Sequence, residues 1–542
     1  MRPMKPMSFD FESRRSMVVG RRGMVATSNP LASQAGLRVL RDGGNAADAA
    51  IAAAAVLNVT EPASTGIGGD CYALFYDAQT RRVTSLNGSG RAPAALTLED
   101  LQAQGLTEIP ITSPHAVSVP GAVQGWADLL AKHGRMTLAD VLQDAIHYAR
   151  DGYPVHPVFG AGWSASEAFL SRSKYAGDYL PGGAAPKVGQ IVQLPGLART
   201  LQAIAEGGPE AFYTGAVAEA IVATLQEVGG VMTLDDLKAH FSTWDDAIHT
   251  DYRGVTVYEC PPNGQGMVAL EALNIIAGDD IASMPWDSPE RLHLLVEAMR
   301  IAFADARQYC ADLATDPAPL DFLLSADYAA RRRADISPIR SMQPPSFGVP
   351  MAGSDTVYLS VVDGDGNACS FINSLYTGWG SGHVAKDAGF FLQSRAALFT
   401  LEDGHPNCLR PNKRPYHTII PGMALRGDDL YSCFGVMGGF MQPQGHLQML
   451  VAMLDDGLNP QEALNRPRWC LESGTGSSLL ALEEGLPVAT MARLSELGHA
   501  VRPVSGRGRG VFGDGQIINR DAQTGVLMGG SDPRKDGLTA AF

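Results

Sequence analysis

Little in this chain points to metal, disulfide or nucleic-acid chemistry. Only seven cysteines occur in 542 residues (Cys71, Cys260, Cys310, Cys369, Cys408, Cys433 and Cys470). They form no CxxC pair and no metal-ligand spacing, and their odd number leaves one outside any disulfide set, so they read as reduced thiols. The 12 histidines show no zinc spacing, and HExxH and GxSxG motifs are missing. No metal and no cofactor are therefore expected. Basic residues are in deficit, with a net charge of −15, which argues against the basic face a nucleic-acid partner needs. Arg331-Arg332-Arg333 reads as a solvated cluster near a helix end. Long apolar runs are lacking too. The most apolar segment, Ala46 to Leu57, falls short of the roughly 20 residues that cross a bilayer and contains Asp48. It reads as a buried helix capped by Asn45. Near the start, Ser8 to Arg15 is polar where a signal peptide would be apolar, so the expected location is cytoplasmic, with no membrane partner.

What is present suits a large globular enzyme: 542 residues are far too many for one ordinary core, and 45% apolar against 18% charged residues is too apolar for disorder. Leu31–Leu40 has helical periodicity, Cys71–Tyr76 and Arg82–Leu86 read as strands around a turn, and the text from about Leu98 to Ala334 is mostly helical. Ser288-Pro289-Glu290 is a cap-and-proline helix start. Thr356–Val362 and Ala368–Tyr376 form a hairpin around Asp363-Gly364-Asp365-Gly366-Asn367, which is a turn rather than a calcium loop because Ala368 stands where a glycine is required and the distal glutamate is missing. The pattern predicts sheets covered by helices, with Ser337–Asp355 an exposed connection inside one fold.

The junction Asp355-Thr356 is the most informative feature. A threonine opens a β-patterned run directly after a proline- and glycine-punctuated stretch. It is either an ordinary strand residue or, if the chain is cut before it, a hydroxyl nucleophile carrying its own base, an α-amine with a pKa of roughly 7.7–8.0. Gly438-Gly439 is likewise either a tight strand end or a place where backbone N–H groups approach an oxyanion.

With those residues in view, the chain resembles the γ-glutamyltransferase family of N-terminal nucleophile hydrolases from about Gly23 to Phe542. The resemblance rests on Met24–Ser33, Gly43–Ala50, the Gly66–Asp70 loop, Asp355-Thr356, Pro411–Pro415, Gly438-Gly439 and Ser531–Arg534. It implies an α/β (α+β) fold, a four-layer αββα sandwich, made as one precursor that cuts itself between Asp355 and Thr356. The large fragment 1–355 and the small fragment 356–542 would stay together as an intertwined heterodimer, or as a dimer of such heterodimers. It further implies Thr356 as nucleophile, Gly438 and Gly439 as oxyanion-hole residues, and Ser374 in the place of a second threonine that hydrogen-bonds the nucleophile.

Departures from the family pattern bear on the substrate. Ser89 stands where the family has an arginine for an α-carboxylate, with Arg91 two residues on. The groups that hold an α-ammonium correspond to Tyr376, Arg395 and Leu398, so no carboxylate remains among them. The paired serines become His417 and Thr418. An ammonium beside Arg395 would meet like-charge repulsion of about 4 kcal/mol at 4 Å and an effective dielectric near 20, whereas a guanidinium suits a carboxylate. The expected activity is hydrolysis of the amide of a small carboxylate-bearing acyl group through an acyl-enzyme, with Arg91, Tyr376, Arg395, His417 and Thr418 binding substrate. The pattern is closer to the cephalosporin-acylase-like and oxamate-amidohydrolase-like branch than to the glutathione enzymes. The alternatives are a γ-glutamyltransferase or glutathione hydrolase, and an unprocessed, non-catalytic binding protein. The alternative role for Arg395 is a pair with a structural acid such as Glu402 or Asp403.

Overall fold

Two seven-stranded sheets stack face to face, and each buries its outer face under helices. The computed structural model describes residues 15–342, 354–473 and 479–542. The sheet strands, in chain order, are β1 (Val18–Gly20), β2 (Met24–Thr27), β3 (Asp70–Asp77), β4 (Arg82–Gly88), β5 (Thr243–Asp245), β6 (Ile248–Tyr252), β7 (Val255–Glu259), β8 (Ser354–Val362), β9 (Ala368–Thr377), β10 (Gly422–Arg426), β11 (Asp429–Met437), β12 (Asp514–Arg520), β13 (Leu527–Ser531) and β14 (Leu538–Ala541). One sheet runs β1-β13-β12-β11-β10-β7-β6 and the other β14-β2-β8-β9-β3-β4-β5, so both fragments of a chain cut before Thr356 would contribute strands to each sheet.

The period-two alternation of strands sorts side chains into layers. Val357, Leu359 and Val361 of β8 join Ala73, Phe75 and Phe371 against helices α1 (Pro30–Arg41) and α2 (Ala46–Thr60). Phe434, Val436 and Val257 of the other sheet pack under α3 (Gly266–Ile276), α4 (Pro289–Tyr309) and α5 (Met441–Leu454). Between the sheets lie Met24, Tyr72, Leu74, Tyr358 and Ile372 against Met423, Cys433, Met437 and Ile518. This is the αββα order. Helix α2 is buried along its whole length, with a capping box in which Asn45 accepts from the Asp48 N–H and Asp48 accepts from the Asn45 N–H.

Several expectations need correction. Strands β5 to β7 interrupt the text read as helical, and β7 shows strand alternation, Val255, Val257 and Glu259 buried between less buried Thr256 and Tyr258. That signal is only five residues long and sits among long helices. Arg332 and Arg333 are not merely solvated. Arg333 makes a two-pronged pair with Asp279 at 2.7 Å, and Arg332 lies 3.4 Å from Asp305. Ser337–Asp355 is not simply an exposed connection: Ser341 is buried and its N–H donates to the Leu497 carbonyl at 2.7 Å, while residues 343–353 lie outside the described residues. The seven cysteines are all free and buried. The hairpin turn is as expected, with the Asp363 carboxylate accepting the Asp365 and Asn367 N–H groups and, across the fold, that of Ala46.

Candidate active site

Strand β8 begins at Ser354, so the Asp355–Thr356 bond lies inside a strand of the uncut chain. The pairing with β9 slips there: Asp355 faces Tyr376, Val357 faces Asn373, and one extra residue of β9 bulges out. Tyr376 takes a φ of +80°, a strained region for an aromatic residue, and two contacts hold it. Its N–H donates to Ser374 Oγ at 2.8 Å, and its ring lies 4.7 Å beneath the Arg395 guanidinium. Ser374 Oγ is in turn 3.0 Å from Thr356 Oγ1. The bulge thus turns the second hydroxyl onto the first.

The inward face of β8 fixes where Thr356 stands relative to the other sheet. Ser360 Oγ donates to the Cys433 carbonyl at 3.1 Å, and Tyr358 lies across Gly435, where a Cβ would come within 2.5 Å of the ring. The same crossing, continued along β8 toward Thr356, runs toward the end of β11, where Gly438-Gly439 follow Met437. These glycines have φ of +124° and +60° and form the turn into α5. A Cβ on Gly438 would meet Gly513 Cα at 3.2 Å. Positive φ and close approach both demand glycine here. The turn is anchored by Gln265, whose Nε2 donates to Gly439 O at 2.9 Å and to Thr418 O at 2.6 Å.

Arg395 is fully buried. Its Nη1 donates to Thr418 Oγ1 at 2.8 Å and its Nε lies 3.9 Å from Asp70 Oδ2, but Nε and Nη2 have no hydrogen-bond partner. Burial lowers its pKa to about 10, against the pull of Asp70, so it stays charged at neutral pH. The acid beside it is therefore Asp70, not Glu402 or Asp403. Asp70 is already well supplied with donors: Gln393 Nε2 at 3.0 Å, the N–H groups of Gly90 and Gly121, and His417 Nε2 at 3.0 Å. Burial nevertheless raises its pKa to about 6. His417 Nδ1 accepts the Ile419 N–H, which leaves the proton on Nε2 to donate to Asp70; burial, then Arg395, holds the ring's pKa well below its ordinary value. His417 thus orients Asp70 as a neutral imidazole rather than carrying charge to a substrate.

The fold therefore gathers Thr356, Ser374, Tyr376, Arg395, His417, Thr418 and the Gly438-Gly439 turn. Arg91 is placed differently. It stacks 4.0 Å over the exposed Phe241 ring, its Nη1 donates to the Phe241 carbonyl at 3.2 Å, and burial together with Arg414 lowers its pKa to about 10. Two residues escaped the sequence reading as site residues. Asp70 was visible only as the end of a glycine-rich loop, and Gln265 is a lone glutamine whose partners lie more than 150 positions away. One cluster of candidate metal ligands exists among the described residues, His293, Glu297 and His499. It is engaged in binding the chain, since His293 Nε2 donates to Ser337 O and Glu297 Oε2 accepts the Met342 N–H, both at 2.7 Å, while His293 Nδ1 and His499 Nε2 share a hydrogen bond. Arg300 Nε also lies 3.3 Å from Glu297.

Known proteins resemble this chain along nearly its whole length. The family model described as gamma-glutamyltranspeptidase matches residues 32–542. The glutathione hydrolase-like YwrD proenzyme of Bacillus subtilis is 39% identical over 97% of this chain and 99% of that protein. The oxamate amidohydrolase proenzyme of Klebsiella pneumoniae is 34% identical, again over 97% and 99% of the two chains. The crystal structure of a cephalosporin acylase from Bacillus halodurans superposes with a TM-score of 0.92 at 43% identity, covering 99% of each chain.

Proposed function

The chain belongs to the gamma-glutamyltranspeptidase family, and from that premise we propose a self-processing threonine amidohydrolase that cleaves the amide of a small acyl group ending in a carboxylate. The observation that carries the substrate class is the buried Arg395 guanidinium, with two N–H donors unpartnered and a ring contact to Tyr376, whose N–H bonds the hydroxyl that bonds Thr356. Buried donors left unmade are costly unless a ligand completes them, and a planar fork fits a carboxylate.

The chemistry runs in two stages. In the precursor, Thr356 Oγ1 attacks the Asp355 carbonyl carbon; the C–N bond breaks, the hydroxyl proton ends on the departing nitrogen, and an ester joins the two residues. Water opens that ester, leaving a carboxylate on Asp355 and a free α-amine on Thr356. In turnover the amine takes the Oγ1 proton as the oxygen attacks the substrate carbonyl, the Gly438-Gly439 turn faces the oxyanion, and the proton passes to the leaving amine. Water then hydrolyses the acyl-enzyme. The mature molecule is a heterodimer of fragments 1–355 and 356–542.

A γ-glutamyl substrate keeps one supporting observation, the Asp70 carboxylate near Arg395, which an ammonium could approach. Four donors already occupy that carboxylate, so the carboxylate-ended substrate is the better fit. The test compares release from glutaryl anilide, γ-glutamyl anilide and oxamate. Glutaryl anilide or oxamate is expected to be preferred, and faster release from the γ-glutamyl compound refutes the assignment of Arg395. On denaturing electrophoresis the wild type is expected as two fragments and Thr356→Ala as one; an intact, active wild-type chain would remove the N-terminal nucleophile altogether.

A further inference from the structure

A turn built from two glycines at positive φ is the least stiff piece of backbone a protein can place against an oxyanion, so something outside it has to hold it. Gln265 stands at the start of α3, with no side-chain exposure. Its Nε2 donates to Gly439 O and Thr418 O, its Oε1 accepts the Tyr416 hydroxyl at 2.8 Å, and its backbone N–H donates to His417 O at 3.1 Å. Two carbonyls on one end of the carboxamide and a hydroxyl donor on the other leave a single orientation for the side chain. The support beneath is also fixed: Asn263 accepts from Tyr72 and Asn87 and donates to the Pro415 carbonyl at 2.7 Å. Gly439 O has a second donor in the Gln442 N–H at 3.1 Å, but this lies within the first turn of α5 and moves with it. Gln265 joins that turn to the 416–418 loop from outside both.

We propose that Gln265 is a positioning residue that locks the Gly438-Gly439 turn to the loop carrying His417 and Thr418, so that the oxyanion donors and the Arg395 carboxylate subsite keep one separation. The assignment rests on the amidohydrolase reading above. Because the turn meets charge that develops only in the transition state, loosening it acts on kcat, while the ground-state contact at Arg395 sets KM.

The experiment uses the full-length chain carrying Gln265→Leu or Gln265→Glu. Gln265→Leu is expected to lower kcat for glutaryl anilide by about 10- to 100-fold with KM within about twofold, and to slow self-cleavage of the precursor, which passes through its own oxyanion at the same turn. Gln265→Glu at pH 8 sets a carboxylate against two carbonyl oxygens and is expected to be at least as impaired. On acidification its protonated form regains one donor, so its deficit relative to wild type narrows, a recovery that a merely structural residue would not show. Unchanged kcat in the leucine variant, or a glutamate deficit that does not vary with pH, overturns the proposal. If the wild type hydrolyses neither the anilides nor oxamate, the amidohydrolase reading fails separately, and the rate of self-cleavage decides: a leucine variant that cuts itself as fast as wild type overturns the role of Gln265. If the leucine variant does not fold by circular dichroism, the pH profile of the glutamate variant carries the test.

Discussion

Replacing Arg395 by glutamine tests the substrate assignment most directly. The guanidinium offers a bound carboxylate two donors, Nε and Nη2, that have no hydrogen-bond partner in the protein. Hydrogen bonds to a charged group contribute about 1.5–3 kcal/mol each. Asp70, 3.9 Å from Nε, repels an incoming carboxylate and takes part of the attraction, so the lower bound for the pair, about 3 kcal/mol, is the working figure. At 1.36 kcal/mol per factor of ten, KM for glutaryl anilide should rise by about 100-fold. Butyryl anilide, the same chain without the carboxylate, should be cleaved by wild type and variant with similar KM. The kcat for both should change little, because Arg395 touches neither the nucleophile nor the oxyanion. Loss of the guanidinium also leaves Asp70 without the charge that opposes its burial, so its pKa should move above about 6 and the variant should carry a neutral Asp70 at pH 7. The assay is steady-state anilide release over a substrate series at constant ionic strength. A change in KM of less than threefold for glutaryl anilide, or an equal change for both anilides, would refute the reasoning and make Arg395 a structural partner of Asp70 and Thr418.

Three other outcomes follow from the same geometry. Ser374→Ala removes the 3.0 Å partner of Thr356 and the acceptor for the strained Tyr376 N–H, so kcat should drop by roughly 10- to 100-fold, at about 1–3 kcal/mol for the lost contacts; Ser374→Thr should retain most activity, and equal loss in both would point to misfolding. Gly438→Ala forces a Cβ toward Gly513 at a φ of +124°; hydrolysis should fall by the 2.7–4 kcal/mol or so of a lost oxyanion donor, and an active variant would separate this turn from the chemistry. The pH dependence follows Asp70. Its pKa is raised from 3.8 to about 6 in the folded chain, so its contribution to stability is full below about 4 and is lost as pH rises through 6. Below pH 6 it is also neutral and no longer competes for Arg395, so KM for glutaryl anilide should fall between pH 7.5 and 5.5 while that for butyryl anilide stays level; a rise would contradict the arrangement.

Much of the local structure was legible because it depends on neighbours in sequence. The Asn45 and Ser288 caps, the alanine-rich helix α2 and the hairpin at Asp363 follow from side-chain shape and backbone preference within a few residues. Strands β5 to β7 were missed because their alternation spans three to five residues each and only their place in a sheet makes it count. The hydroxyl neighbour of Thr356 and the glycine turn were read from family motifs, with Ser374 standing where the family has a threonine and Gly438-Gly439 matching its glycine pair. The identity of the acid beside Arg395 was not legible, since Asp70 and Arg395 come from segments that nothing in their own neighbourhoods links.

The sequence alone determined where the chain offers its chemistry: a threonine after a proline- and glycine-rich stretch, a glycine pair, and an arginine in place of the acids that hold an ammonium. Only the tertiary structure decided what those groups face. Stacking β8 across β11 sets Ser360 against the Cys433 carbonyl, the bulge in β9 brings Ser374 to Thr356, and burial makes Asp70, His417 and Gln265 the partners of residues far away in the chain. The physical reason is range: helical and strand preference is set over a few residues, whereas hydrogen bonds and desolvation inside a closed four-layer core are set by whatever the packed sheets bring within about 3 Å.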